Sequence, residues 1–259
     1  MNLIIITNRL IRLVGNLFKL FSYLFHAVLP TARFTIPINS QPKVNWGNTS
    51  VIPRIIWQTN YSNRSTLPVY LNYLFNRLMS LDYEYRYVST EAREQFMREH
   101  APEHVYKAYQ KLTDGAAQAD LWRITVLYQQ GGIYMDIDAT LVWPLRKILR
   151  GEQEALYIKF KKGNTDYTNF FLATVANNPD YQTIMDTIVD NIENYDVKKG
   201  VYGTTGPEAL NCVLQGKNVH ARGRNYVCIQ GTFTNEHFQY LDKPRGKWTH
   251  QDPNDLIKK

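Results

Sequence analysis

The chain has 259 residues and a net charge of +7, with 18 tyrosines, 5 tryptophans and 2 cysteines, Cys212 and Cys228. That length accommodates one large α/β domain with small additions, and two cysteines without metal-ligand spacing exclude a disulfide framework and fit a reducing compartment. The basicity is confined to one end, because residues 1–81 hold eight basic residues and no acidic one, whereas the remainder carries 22 basic and 23 acidic groups. A nucleic-acid module would interleave basic patches through a folded body, so nucleic acid is set aside as a partner and an anionic membrane surface is favoured.

Residues 3–29, LIIITNRLIRLVGNLFKLFSYLFHAVL, contain no run of eighteen apolar residues, which argues against a spanning helix. On a wheel at about 100° per residue, Asn8, Arg9, Arg12, Gly15, Asn16, Lys19, Ser22 and His26 fall within roughly 140° of arc. Leucines, phenylalanines and valines cover the rest. The pattern predicts an amphipathic helix over 1–30 lying in a membrane interface, with its basic residues among the headgroups. A signal sequence lacks its small-residue cleavage site here, and a helix packed on a partner is the competing reading.

Residues 31–50, rich in Pro, Asn, Thr and Gln, read as a linker to a domain over 51–259. VIPRIIWQT (51–59) reads as a first strand with Pro53 near its start. Helical spacing follows over 67–81, alternation over 83–88 predicts a strand, and Ser89 or Thr90 can cap the next helix. Pro102 opens another helix. Residues 114–130 predict an amphipathic helix stopped by Gly131 and Gly132. Strand–helix–strand–helix order predicts a mostly parallel sheet with flanking helices. Beyond Pro144, residues 155–160, 169–175 and 226–230 read as strands. Residues 179–192 and the run from Pro207 read as helices.

The chemistry concentrates in DGAAQADLWRITVLYQQGGIYMDIDATLVWP, residues 114–144. If the strand stays extended, Tyr134, Asp136 and Asp138 share one face while Ile133, Met135 and Ile137 share the other. Two adjacent carboxylates at a strand end repel unless a cation or a proton intervenes. On the preceding helix Asp120 falls inside the apolar arc with Arg123 one turn on. That is either an i,i+3 ion pair or a pair facing a polar ligand. For the aspartates, a Mg²⁺ or Mn²⁺ site for a phosphorylated ligand competes with a glycoside hydrolase pair and with an exposed turn.

ADLWRITVLYQQGGIYMDIDATLVWPL resembles the core of the glycosyltransferase sugar-binding region containing a DXD motif, glycosyltransferase family 32. Its members include fungal Golgi mannosyltransferases, animal lactosylceramide-type transferases and bacterial polysaccharide transferases, and the large glucosylating toxins are similar. Ala119, Asp120, Arg123, Tyr128, Gly131, Gly132, Asp136 and Asp138 match the family's run. VIPRIIWQT resembles its opening strand, and GTTGPEAL its later Thr-Gly-Pro segment. The resemblance spans about residues 51–215.

The resemblance implies an α/β fold of the GT-A nucleotide-sugar-binding type, with a mixed, mostly parallel central sheet, and α-linked transfer with retention. It implies a catalytic set of Asp120, Arg123, Asp136 and Asp138. Asp120 and Arg123 would hold donor-sugar hydroxyls, and Asp136 the ribose or sugar. Trp57, Gln58, Tyr134, Gly206 and Trp248 complete the donor site, with Trp57 against the base. A divalent cation, Mn²⁺ or Mg²⁺, would sit on Asp138, with Asp136 and the C-terminal His237 as further contacts. Lys247, where the family carries a small hydroxyl residue, departs from the pattern.

The expected function is therefore a membrane-associated, metal-dependent retaining hexosyltransferase. Its partners are a nucleotide sugar, a lipid-linked or surface glycan acceptor, and a membrane surface through residues 3–29. A metal-dependent hydrolase or phosphotransferase using the same aspartates is the alternative, as is a non-catalytic sugar- or lipid-binding protein. The expected location is peripheral on the cytoplasmic face. Three Asn-x-Ser triplets, at Asn48, Asn60 and Asn63, permit a luminal Golgi-type location instead.

Overall fold

A computed structural model describes residues 2–151, 153–160, 166–244, 246, 248–250 and 252–258. Its first element is helix α1 (Asn2–Val28). The stretch expected as a linker is built into the body, because β1 (Phe34–Thr35) and β2 (Asn39–Ser40) both find partners. Next come β3 (Ile55–Thr59), β4 (Arg64–Ser65), α2 (Leu67–Met79) and β5 (Glu84–Val88). Ser89 caps α3 (Thr90–His100) by accepting from the Ala92 amide, as its sequence position suggests. Pro102 precedes α4 (Glu103–Lys111).

Asp114 opens α5 (Gly115–Gln130), its Oδ1 accepting from the Ala116 and Ala117 amides at 2.9 and 3.0 Å. Gly131 and Gly132 end it with φ of 64° and 101°. A side chain at either would also collide, since a Cβ at Gly132 would lie 2.6 Å from the Ile55 carbonyl. The chain then enters β6 (Gly132–Met135), turns, and forms β7 (Ala139–Leu141) and α6 (Leu145–Ile148). The remainder supplies β8 (Ala155–Lys159), β9 (Tyr167–Thr174), α7 (Pro179–Glu193), α8 (Gly200–Thr204) and α9 (Pro207–Leu214). Last are β10 (Ala221–Gly223), β11 (Cys228–Gln230) and α10 (Glu236–Gln239).

The central sheet has the strand order β10-β8-β9-β6-β3-β5-β2. Five strands run one way, and β9 and β2 run against them, as the pairings require. A mixed, mostly parallel sheet between helices was the expectation; of its two reversed strands, β9 is the next strand after its partner β8, and β2 is added along the outer edge of β5. Side chains alternate as period two demands. Trp57, Tyr134, Leu172 and Tyr157 enter the core beneath α4, α5, α7 and α9, while Ile56, Ile133, Met135 and Phe171 enter the core shared with α2 and α6. The carboxyl ends of β3 and β6 therefore meet at one edge, where ligands of open α/β sheets bind.

Helix α1 lies against the body with an inverted face. Asn8, Ile11, Ser22 and His26 are buried, whereas Leu10, Leu13, Leu17, Leu20, Leu24 and Val28 are each more than half exposed. The expectation that its basic residues point outward is corrected for two of them. Arg12 bonds Asn8 and Asn225, and Lys19 donates to the Gly231 carbonyl at 2.8 Å. Among the described residues no helix is long and apolar enough to cross a membrane.

Candidate active site

β6 ends at Met135, and the next three residues turn rather than extend, closed by the Ala139 amide donating to the Asp136 carbonyl at 3.0 Å. Asp136 and Asp138 therefore approach each other through a turn, not by sharing a strand face as the extended reading required. A glutamine joins them. Gln230, at the end of β11, donates to Asp136 Oδ2 at 3.4 Å and to Asp138 Oδ1 at 3.3 Å. Gln239 of α10 lines the same cleft and favours the ionised Asp138 carboxylate. From below, Gln58 donates to the Asp136 carbonyl at 3.0 Å and accepts from the Tyr85 hydroxyl at 2.9 Å. It fixes the turn's backbone instead of facing a ligand.

A second cluster adjoins the turn. Arg123 of α5 pairs with Asp120 at 3.0 Å and with Asp136 at 3.4 Å, donates to the Asn169 carbonyl at 2.9 Å, and lies 4.2 Å over the Tyr134 ring. Tyr134 in turn donates to Asp136 at 2.7 Å. Asp120 also accepts from Asn169 and from the Thr205 hydroxyl, each at 3.1 Å. The i,i+3 ion pair expected of Asp120 and Arg123 forms. The two also wall a cleft of about 820 Å³ together with Tyr134, Asp136, Asp138 and Gly206.

Other expected positions fall elsewhere. Trp57 is buried, donates to the Gly131 carbonyl at 3.0 Å and packs edge-on against Trp122, so it supports the floor and does not line the cleft. His237 points away from the aspartates and stacks on Tyr23 of α1 at 5.7 Å, lining a separate hollow. The structure does not bring it together with Asp136 and Asp138, and among the described residues there is no group of three His, Cys, Asp or Glu placed as metal ligands. Lys247 and the Trp248 side chain lie outside the described residues.

The residues that sequence reasoning missed as partners are Gln230, Gln239, Asn169 and Thr205. Thr205 stands inside the quoted Thr-Thr-Gly-Pro segment. Neutral amides at strand and helix ends carry no pattern that singles them out.

Electrostatics explain what the cleft wants. Partial burial on the cleft floor, reinforced by the neighbouring Asp136 charge, pushes the Asp138 carboxyl up to about 7, against weaker support from Gln230 and Gln239. Burial likewise pushes Asp120 up to about 7, although Arg123 pulls it down. Asp136 is raised by burial as well, with Arg123 and Tyr134 opposing. Groups with raised folded-state values bind protons that the unfolded chain has already released, so the ligand-free protein loses stability as pH rises from about 4 to about 7. Scanning calorimetry should accordingly give a higher melting temperature at pH 5.5 than at pH 7.5. Mn²⁺ should narrow the gap by stabilising the protein selectively at the higher pH.

Residues 68–155 match the family model described as the glycosyltransferase sugar-binding region containing DXD motif. The matched stretch contains Asp120, Arg123, Asp136 and Asp138. The chain carries a DXD-type glycosyltransferase region. The solved structure titled PaToxG Glycosyltransferase is similar to this chain in fold, with a TM-score of 0.51 at 17% identity over 81% of this chain and 78% of that one. The ligand-free glycosyltransferase domain from the YGT toxin aligns over 58% of this chain and 54% of its own, at 16% identity and a TM-score of 0.40. No curated protein matches the chain.

Proposed function

We propose that this glycosyltransferase moves a sugar from a nucleoside-diphosphate donor to a hydroxyl of a glycan or glycolipid at a membrane surface, with a divalent cation and with retention. The observation that carries the reading is the pair Asp136 and Asp138, partly exposed on the floor of a cleft and bridged by one glutamine. The donor set fits the cation. It is all oxygen, it is short of a full protein cage, and burial beside the Asp136 charge pushes one carboxyl up to about 7. Mg²⁺ and Mn²⁺ are usually held in that way, by one or two carboxylates plus ligand phosphates and water. Asp138 and Asp136 would hold the ion, which when bound neutralises charge on the departing diphosphate.

The remaining residues act on the donor and acceptor directly. Asp120, itself held by Arg123, Asn169 and Thr205, is aimed to accept from sugar hydroxyls and orient the ring. Arg123 opposes the protonation of Asp120 and Asp136 that burial favours, and adds a fixed positive charge beside the leaving group. Retention follows from front-face attack, in which the acceptor's proton passes to the departing phosphate oxygen. The bilayer is supported as the acceptor's setting by the outward apolar face of α1, extended by exposed Leu74 and Leu78 of α2. Peripheral attachment on a cytoplasmic face is the location proposed.

A thermal-shift panel of nucleotide sugars with Mn²⁺ tests the reading. The correct donor at a hundredfold excess over its Kd should stabilise by about 2.7 kcal/mol, roughly 5–10 °C in a chain of this size. Stabilisation by none of them would sink it. A hydrolase or phosphotransferase would respond to phosphate compounds lacking a sugar.

A further inference from the structure

The segment that closes the cleft also receives α1. On its inner side Gln230 and Gln239 reach the aspartates, and the Gly231 amide donates to the Asp138 carbonyl at 3.2 Å. On its outer side Thr66 donates to the Phe238 carbonyl at 2.9 Å and Phe75 of α2 lies 5.1 Å from Phe233, and the other anchoring groups come from α1 or the chain just after it. Lys19 donates to the Gly231 carbonyl, the adjacent peptide unit of the same turn. Phe18 stacks on Phe233 at 6.2 Å. Asn235 donates to the Tyr23 hydroxyl at 2.6 Å, and the Tyr23 ring lies 4.6 Å from that of Phe238. Arg33 pairs through two bonds with Asp242.

The helix approaches so closely that only glycine fits at position 15, where a Cβ would lie 2.5 Å from the Thr232 methyl and 3.1 Å from its backbone. Lys19 is partly buried, and that burial pulls it below its usual value. The opposite face of the same helix is apolar and exposed over its full length of 27 residues, about 40 Å at 1.5 Å per residue.

Resting on the function proposed above, we propose that α1 is a working part of the active site. By gripping residues 229–242 with its polar face it positions Gln230 and Gln239 against Asp136 and Asp138, and seating its apolar face on a lipid bilayer tightens that grip. Lys19 is a positioning residue, and the bilayer is the partner that orders the cleft. Free in solution, a helix with this much exposed apolar surface leaves its dock in a fraction of molecules, and the closing segment leaves with it. On a bilayer the buried face holds the helix flat, and that escape is suppressed.

The test measures amide hydrogen exchange over residues 229–242 and Mn²⁺ affinity, in the full chain, with and without vesicles of phosphatidylcholine containing anionic phosphatidylglycerol. Lys19→Met should raise exchange in the segment and weaken Mn²⁺ roughly tenfold, the scale of one charged hydrogen bond, while Lys19→Arg restores both. Gly15→Leu, which wedges the helix off Thr232, should do the same without touching the cleft. Vesicles should slow exchange in the wild type but not in Leu20→Glu/Leu24→Glu. Unchanged exchange and Mn²⁺ affinity in Lys19→Met and Gly15→Leu would overturn the proposal, as would vesicle binding that leaves the segment's exchange unaltered. These readouts use no sugar donor, so their failure is separable from a donor panel in which nothing binds.

Discussion

Asp138→Asn is expected to lower sugar transfer by about 10²–10³-fold, the cost of removing one preorganised charge from the point where a leaving group develops its own. The substitution keeps the shape of the side chain, and an amide can still meet Gln230 and Gln239 by turning its oxygen or nitrogen towards them. Folding should not suffer, and at neutral pH it should improve. In the wild type the carboxyl sits near 7 because the cleft floor is partly dry and Asp136 is beside it, so its ionised form is strained against both. A neutral amide removes that repulsion. Two measurements on one variant therefore move in opposite directions. Turnover falls, while the melting temperature of the ligand-free protein at pH 7.5 rises and becomes flatter against pH. Mn²⁺ should no longer stabilise the variant. Full activity in Asp138→Asn would remove the cation from the mechanism. A melting temperature that falls would mean the carboxylate is held by contacts stronger than those described.

The comparison of sequence with structure separates features carried by local chemistry from those made by assembly. Helix α5 and its stop were legible because Asp114, the apolar spacing and two positive-φ glycines each say the same thing in consecutive residues. The alternation of Tyr134 against Ile133 and Met135 was legible for the same reason. The turn after Met135 was not, because the strand it leads into, β7, pairs with β11 about ninety residues further on. Trp57 shows what strand register adds to a resemblance. Its position beside β6 follows from the register that sets it opposite Tyr134, and that register puts the indole under the sheet edge against Gly131 and Trp122. The helical wheel of α1 found the right two faces, but it set the polar one among headgroups where the structure sets it on the body. A wheel records which side is polar, and only the docked body reveals that Asn8, Lys19, Ser22 and His26 have polar partners in the protein itself.

Arg123→Met should be the most destabilising single change in the site, and the loss should depend on pH. The guanidinium is almost wholly buried and serves Asp120, Asp136 and the Asn169 carbonyl at once while lying on the Tyr134 ring. Methionine replaces its volume but leaves two carboxylates facing each other with no counter-charge, for which about 3–5 kcal/mol is expected. Without Arg123 the proton affinities of Asp120 and Asp136 climb further, so the deficit at pH 7.5 should exceed that at pH 5.5, where protonation relieves it. Lysine should recover only part, because a point charge cannot span the acceptors that the planar fork reaches. Urea unfolding at the two pH values reads the effect, and a loss that is equal at both, or below about 1 kcal/mol, would contradict this account. The double variant Asp120→Asn/Arg123→Met decides what the pair is for. If the ion pair were only a strut, removing both charges would restore stability and activity together. With Asp120 aimed at donor hydroxyls, stability returns at pH 7.5 and turnover does not.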